Sequence, residues 1–236
     1  MTVTITALVA REMGMRNLGL FSAGLALLLG SAGAAVAAPA YPKPPTFAPF
    51  HLAPAEEIAL ARSAAPASIS GKAEVLTLGP TGYTTAVKGS NGFVCIVERS
   101  WDLTADNPEF WNPKVRSPQC LNAVAARSVL PAYLERTRQV LAGTPMATMQ
   151  ATAKAHPPKP APGAFCFMMS KQGYLADAVG HAHPHVMFYR ASGDEAAWGA
   201  GLPGSPVGSD GGVDGVTTFF VSVPRWSDGT SAMDMH

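Results

Sequence analysis

Three short segments decide the fold class of this chain: Ala73-Glu-Val-Leu-Thr-Leu78, Tyr83-Thr-Thr-Ala-Val-Lys88 and Phe93-Val-Cys-Ile-Val97. They are rich in Val and Thr, as strands are, and two glycine-containing turns separate them. The second turn ends in Asn91-Gly92, a pair typical of a tight hairpin. Phe93–Val97 is apolar without alternation, which indicates a strand covered on both faces. The sequence therefore predicts a three-stranded antiparallel meander over residues 73–100.

The segments on either side of this meander show helical or strand patterns, grouped by type along the chain. Helices are predicted at Ala55–Ala65, at Leu121–Leu141 with a break or a new start at Pro131, and from Thr144-Pro145 to about Ala155. Strands are predicted at Ala164–Ser170, Val186–Arg190 and Val216–Pro224, whereas Trp101–Gln119 and Gly199–Gly215 are predicted to be irregular. Blocks of strands, helices and strands favour an α+β domain, an antiparallel sheet with the central helical segment packed on it.

The N-terminal region has the order of a secretory signal. Arg11 and Arg16 precede the apolar core Leu18–Gly30, and small residues follow up to an Ala-x-Ala site that ends at Ala37 or Ala38. We therefore predict a signal peptide over residues 1–37, a Pro-rich extended spacer over 38–54 and a single globular domain over 55–236. An uncleaved membrane anchor is the alternative, and Met13 and Met15 are alternative starts to Met1.

Charge and composition exclude several classes of protein. The chain has 236 residues, of which 14% are charged, and its formal net charge is +1. Removal of residues 1–37 takes away two arginines and one glutamate and leaves a formally neutral chain. A neutral chain of this hydrophobicity is neither intrinsically disordered nor electrostatically suited to nucleic acid. No later apolar run is long enough to span a membrane. We expect a periplasmic or extracellular protein.

The three cysteines, Cys95, Cys120 and Cys166, suit an oxidising compartment. Three pairings are open, and an odd count leaves one thiol unpaired or intermolecular. We predict a Cys95–Cys120 disulfide, because it closes the shorter loop. Cys166 lies in an apolar run, and we interpret it as a small buried hydrophobic residue.

Histidines at alternate positions form the first candidate site. His181, His183 and His185 share one face if the chain is extended there, and imidazole binds divalent transition metals such as zinc or copper. A second segment would have to supply a further ligand, and the candidates are Glu98, Asp177, His236 and Cys166. The alternative is that the three histidines belong to a loop leading into the next strand, since Gly180 and Pro184 are turn formers.

A second group of candidate ligand-binding residues lies where two predicted strands end. Glu98, Trp101 and Asp102 follow the third strand of the meander, and Arg225 and Trp226 follow the last strand. The two carboxyl groups would suit acid–base work if their pKa values were raised. The alternatives are a sheet-edge ion pair for the charges and a plug at the end of the sheet for the tryptophans.

The sequence thus supports three functional hypotheses. The first is an exported binding domain without catalysis, which takes a small molecule or a metal. The second is a small metal-dependent hydrolase that uses His181, His183 and His185. The third is a structural protein of the cell envelope. The Gly-x-Ser-x-Gly, Ser-x-x-Lys and phosphate-binding loop motifs are absent from the sequence, so no common enzyme class is indicated.

Overall fold

The structure is a computed structural model that describes residues 41–191, 193 and 195–232, and for residues 211–213 the backbone only. The predicted signal peptide over 1–37 and the candidate ligand His236 lie outside the described residues. No helix within the described ranges is long and apolar enough to cross a membrane.

Five α-helices are present in the described part of the chain, and all except α2 lie close to predicted positions. They are α1 Pro54–Arg62, α2 Ala67–Ser70, α3 Ala123–Ser128, α4 Leu130–Leu141 and α5 Met146–Ala155. Val129 separates α3 from α4, and Pro131 occupies the first turn of α4. A proline is tolerated there because the first amide groups of a helix have no intrahelical acceptor. Of the two alternatives at Pro131, a kink or a new helix, the structure has a new helix, which begins at Leu130.

Eight strands in the described ranges form one mixed, mainly antiparallel sheet. They are β1 Glu74–Gly79, β2 Gly82–Val87, β3 Val94–Glu98, β4 Ser117–Leu121, β5 Phe165–Met168, β6 His185–Ala191, β7 Val207–Val213 and β8 Val216–Ser222. Their order in the sheet is β2-β1-β3-β4-β5-β6-β8-β7. Helices together with this sheet confirm the α+β class.

The antiparallel meander over residues 73–100 is wrong in its third strand. The β1–β2 hairpin is present, but β3 pairs with β1 and runs parallel to it. The connection passes around the start of β1, where Ser90 N donates to Lys72 O and Glu74 N donates to Phe93 O. Gly89 makes this close crossing possible, because a Cβ there would lie 2.2 Å from Glu74 N. Asn91-Gly92 therefore lies in the crossover connection from β2 to β3 and not in a hairpin turn.

Two strands lie in segments that were predicted to be irregular. β4 contains Pro118, which argues against a central strand because proline cannot donate to the ladder. The β4–β5 ladder, however, pairs only Cys120 and Leu121 of β4, so Pro118 lies beyond it. β7 ends in a turn with positive φ at Asp214 and Gly215 and pairs with β8. This Asp-Gly turn is a common hairpin signal that the prediction of a loop over Gly199–Gly215 overlooked.

The core lies on both faces of the central strands. Ile96 of β3 joins Leu121, Ala125, Val129 and Leu130 in a cluster on the face of α3 and α4. Its neighbours in sequence point to the other face, where Cys95, Val97 and Cys120 pack with Ala61 of α1 and with the alanines that follow this helix. This alternation is the strand period, and it confirms that the apolar run before Glu98 is covered on both faces.

Residues 41–53, predicted to be part of an extended spacer, lie against the domain instead. Phe50 is fully buried, with its ring centroid 4.8 Å from that of Trp101, and Phe47 contacts the same indole. Tyr41 N donates to the carbonyl oxygen of Pro108. A short 3₁₀ helix, Ala48–Phe50, interrupts the segment, and the aromatic side chains of the segment supply apolar surface that is buried against the domain.

Candidate functional site

A cavity of about 820 Å³ lies against the face of the sheet that α3 and α4 cover only in part. We call it the sheet cavity. Inward-facing residues of β3, β4, β5, β6, β7 and β8 line one side, and α4 with neighbouring loops lines the other. Its apolar lining residues are Leu103, Val115, Val129, Ala132, Tyr133, Met168, Leu175, Val179, Met187, Val216 and Phe220. Volume and lining are those of a small-molecule site.

The strand period explains why one face of the sheet supplies most of this lining. His185, Met187 and Tyr189 alternate along β6 and all line the cavity. Across the β6–β8 ladder they lie opposite Ser222, Phe220 and Thr218, which line it as well. Tyr189 is buried, whereas Val179 is 59% exposed. The cavity therefore has a buried floor and a rim that is open to solvent.

The floor carries a network of polar side chains. Gln119 Nε2 donates to Oε2 of Glu98, and the carbonyl oxygen of the same amide accepts from Tyr189 Oη at 2.9 Å. Cys166 Sγ lies 3.3 Å from that Gln119 oxygen and 3.0 Å from Tyr189 Oη. Glu98 Oε1 is buried and has no hydrogen-bond partner in the described part of the chain. Such orphaned buried acceptors are rare in folded proteins.

A second carboxyl group, that of Asp102, lies beside this network. Asp102 Oδ2 accepts from Arg99 N at 3.3 Å, and Oδ1 is buried without a partner among the residues that the structure describes. Arg136 of α4 donates to the carbonyl oxygens of Trp101 and Leu103 and pairs with Asp214. Asp214 is the residue with positive φ in the β7–β8 turn, so that turn fixes the guanidinium.

Burial controls the protonation of these groups. Burial, followed by the nearby charge of Asp102, raises the pKa of Glu98 well above its usual range. Burial likewise raises the pKa of Asp102 to about 7, against the opposing effect of Arg136. Burial raises the pKa values of Tyr133 and Tyr189 well above the usual tyrosine value, so both remain hydroxyl donors. Burial therefore favours the neutral, protonated forms of these carboxyl and hydroxyl groups.

Of the predicted ligand-binding residues, Glu98 and Asp102 line the sheet cavity, and Trp101, Arg225 and Trp226 do not. Trp101 is fully buried between Phe47 and Phe50, and its indole N–H donates to Thr137 Oγ1 at 3.0 Å. This is the plug that was the alternative interpretation. Trp226 is 2% exposed in the turn after β8, where its backbone N–H donates to Thr230 O. Arg225 donates to the carbonyl oxygen of Gly229 in the same turn.

His181, His183 and His185 all line the cavity, where His181 and His183 are exposed and His185 is buried. The ring Nδ1 of His181 hydrogen-bonds the carbonyl oxygen of Gly173, and Nδ1 of His185 lies 2.7 Å from the carbonyl oxygen of His183. Burial lowers the pKa of His185. Within the described ranges, no group of three or more His, Cys, Asp or Glu side chains is arranged to hold a metal ion. Zinc or copper binding by these histidines stays a prediction.

The cysteines lie as the sequence predicts. Cys95 and Cys120 are opposite each other on β3 and β4, with Cα atoms 4.0 Å apart and their sulfur atoms at disulfide distance. Cys166 is a free thiol, fully buried, and burial raises its pKa. A buried thiol with a raised pKa is a poor nucleophile. Cys166 therefore serves the packing and the polar network of the floor.

Several residues of the floor were not identified from the sequence. Gln119 lies in a polar, proline-containing segment that was predicted to be irregular, and Tyr189 lies in an ordinary apolar strand. Arg136 is one of several charges on α4, so no local pattern distinguishes these three residues. Asp214 carried a detectable signal, the Asp-Gly pair before a strong strand. Asp102 was paired with Glu98 as a candidate acid and base, but its raised pKa depends on burial that only the fold provides.

Comparison of the chain with known protein families, with curated proteins and with solved structures finds no match.

Proposed function

We propose that this protein is a non-catalytic binding domain that holds a small, largely apolar molecule in the sheet cavity. One observation carries the proposal: an apolar-walled cavity of about 820 Å³ ends in a buried polar floor with two unpartnered carboxylate oxygens. Ligand sites combine a mostly apolar wall with a few well-placed polar groups in this way. Buried polar atoms without a partner are costly unless a ligand or water satisfies them.

Binding of N-phenyl-1-naphthylamine, a neutral apolar dye whose fluorescence rises in apolar surroundings, tests the proposal. We expect saturable binding with one site per chain. Ala132 of α4 lines the cavity, so Ala132→Phe would fill part of it and weaken binding at least tenfold. Ala151 of α5 is exposed and does not line the cavity, so Ala151→Phe adds the same side chain elsewhere and should leave binding unchanged.

Absence of saturable dye binding to the folded protein would contradict the proposed function. Equal binding by wild type and Ala132→Phe would contradict the location. Circular dichroism in the near ultraviolet, compared between the two variants, shows whether Ala132→Phe retains the native packing.

We also propose that the protein is exported to the periplasm or the extracellular space. The signal-like N-terminal sequence and the Cys95–Cys120 pair support this, since disulfides persist in oxidising compartments. Mature protein released by osmotic shock should begin at Ala38 or Pro39. An intact N-terminus in the membrane fraction would favour the uncleaved anchor, or a structural protein of the envelope.

A further inference from the structure

The floor of the sheet cavity holds two carboxylates that the protein itself leaves half-satisfied. Glu98 is 4% exposed and is the last residue of β3. Asp102 follows shortly after it in the sequence, at the end of the 3₁₀ helix Ser100–Asp102. Each carboxylate has one oxygen that accepts a hydrogen bond from the protein, from Gln119 Nε2 or from Arg99 N. The other oxygen of each has no partner in the part of the chain described.

The two guanidinium groups that line the cavity are already engaged. Arg99 Nη2 pairs with Glu57 at 2.8 Å, and its Nε donates to the carbonyl oxygen of Phe50. Arg136 pairs with Asp214 and donates to backbone carbonyl oxygens of two residues. Both cations therefore have carboxylate partners other than Glu98 and Asp102. Among the described residues that line the cavity, a negatively charged ligand would thus meet two carboxyl groups and no guanidinium without a carboxylate partner.

Protonation agrees with this arrangement. Burial raises the pKa values of both carboxyl groups. For Glu98 only the hydrogen bond from Gln119 opposes this rise, whereas for Asp102 the charges of Arg136 and Arg99 oppose it in part. A positively charged group close to Glu98 would stabilise its ionised form, because opposite charges interact strongly where water is largely excluded.

We propose that the molecule bound in the sheet cavity is a cationic amphiphile, an apolar body that carries a protonated amine, with Glu98 and Asp102 as the counter-charges of the amine. The inference rests on the proposed function and names the ligand class of that site. The amine lies at the floor, and the apolar body lies along the wall formed by Met187, Val216 and Phe220.

Three probes with the same nine-carbon chain test the proposal by isothermal titration calorimetry at pH 7.5: nonylamine, 1-nonanol and nonanoate. At this pH the amine is protonated and the acid is ionised. We expect nonylamine to bind at least 30-fold more tightly than 1-nonanol, and nonanoate to bind most weakly. This comparison uses the wild-type protein and needs no variant to fold.

Variants then assign the counter-charges. Glu98→Gln and Asp102→Asn should each weaken nonylamine binding about tenfold and leave 1-nonanol binding unchanged. Asp106 is exposed and does not line the sheet cavity, so Asp106→Asn is the matched control and should change nonylamine binding less than threefold. An equal loss in all three variants would overturn the assignment to Glu98 and Asp102.

The two proposals fail differently. Binding of the naphthylamine dye without a preference for nonylamine over 1-nonanol would overturn the cationic ligand and leave the binding function intact. Tighter binding of nonanoate than of nonylamine would have the same meaning. Failure of the dye and of all three nonyl probes to bind would overturn the proposed function itself.

Discussion

Gln119 donates a hydrogen bond to one carboxylate oxygen of Glu98 on the neighbouring strand, and the other oxygen of Glu98 is buried with no partner among the described residues. One neutral amide is weak compensation for a buried carboxylate, because taking an ionised carboxyl group out of water is costly. Glu98 therefore lowers the free energy of unfolding at pH values at which it is ionised. The same carboxylate is available to a ligand. This relationship leads to the first prediction.

Glu98→Gln should raise the free energy of unfolding at pH 8 by about 1–3 kcal/mol. The folded pKa of Glu98 is raised above its unfolded value, so the folded state binds more protons than the unfolded state between the two pKa values. Wild-type stability must then fall as pH rises from about 4 through the folded pKa, whereas the variant lacks this loss. Urea unfolding at pH 4.5 and pH 8 measures the difference, which should nearly vanish at pH 4.5.

Glu135→Gln is the control, because it should change the free energy of unfolding in the opposite direction. Glu135 is exposed on α4, and its hydrogen bond with Arg138 lowers its pKa. Its small contribution is present at neutral pH and lost as pH falls, so this variant should lose a little stability at pH 8. A stability gain as large as that of Glu98→Gln would show that removal of any carboxylate has this effect.

Asp102→Asn should flatten the same pH dependence over a defined window. The pKa of Asp102 is about 7 in the folded protein and about 4 in an unfolded chain, so its destabilising effect develops between these values. The slope for one such group is at most about 1.4 kcal/mol per pH unit. Unfolding measured at half-unit intervals from pH 4 to 8 should show a shallower decline in the variant. An unchanged slope would mean that Asp102 is solvated in the folded state.

The buried ion pair between Arg99 and Glu57 should behave as a unit. Both side chains are about 1% exposed or less, and Glu57 Oε1 also accepts from Leu78 N. Arg99→Met leaves a buried carboxylate without its counter-charge and should cost about 3–5 kcal/mol. The double variant Arg99→Met with Glu57→Gln should recover part of that loss. Urea unfolding of both single variants and the double variant gives the coupling energy, and simple additivity would contradict the pairing.

Thiol counting tests the cysteine arrangement. One thiol per chain should react with Ellman's reagent in denaturant without reductant, and three should react after reduction. In the native protein Cys166 should react slowly, because it is buried and its pKa is raised. Cys95→Ala with Cys120→Ala should lower the free energy of unfolding by about 3 kcal/mol on the loop-entropy model. Three reactive thiols before reduction would contradict the disulfide.

Gly89→Ala tests the crossover that places β3 beside β1. The added Cβ would meet the backbone of Ala73 and Glu74, and backbone cannot move aside as a flexible side chain can. We expect a loss of about 2 kcal/mol or more, in the range of overpacked cores. Ser90→Ala, at the next position, should change stability by less than about 0.5 kcal/mol. A neutral Gly89→Ala variant would be compatible with the antiparallel meander instead.

Much of the secondary structure could be predicted from local pattern. Pro54, Pro131 and Pro145 mark the beginnings of α1, α4 and α5, because proline suits a first helical turn. The segments around Val75, Ile96 and Phe219 have strand composition and are strands. Local pattern did not predict strands whose formation depends on the neighbouring strands. Pro118 is tolerated in β4 because the ladder between β4 and β5 does not extend to it.

The candidate site was predictable only in part, for a similar reason. Glu98 stood out because a carboxylate follows an apolar strand, and the three histidines stood out by their spacing. Gln119, Tyr189 and Arg136 come from three separate elements, and nothing near them in sequence shows that they meet Glu98, Asp102 or each other. Long-range pairing of strands brings them together, and burial then raises the pKa values of both acids.

By itself the sequence determined the short strands around residues 73–100, the helix starts, the choice of Cys95 and Cys120, and the apolar run of β3, because each depends on neighbours along the chain. Only the tertiary structure decided that β3 runs beside β1, that residues 41–53 pack on the domain, and that a cavity with two half-satisfied carboxylates exists. Those features depend on which distant segments of the chain pack against each other and exclude water, and a local sequence pattern does not contain that information.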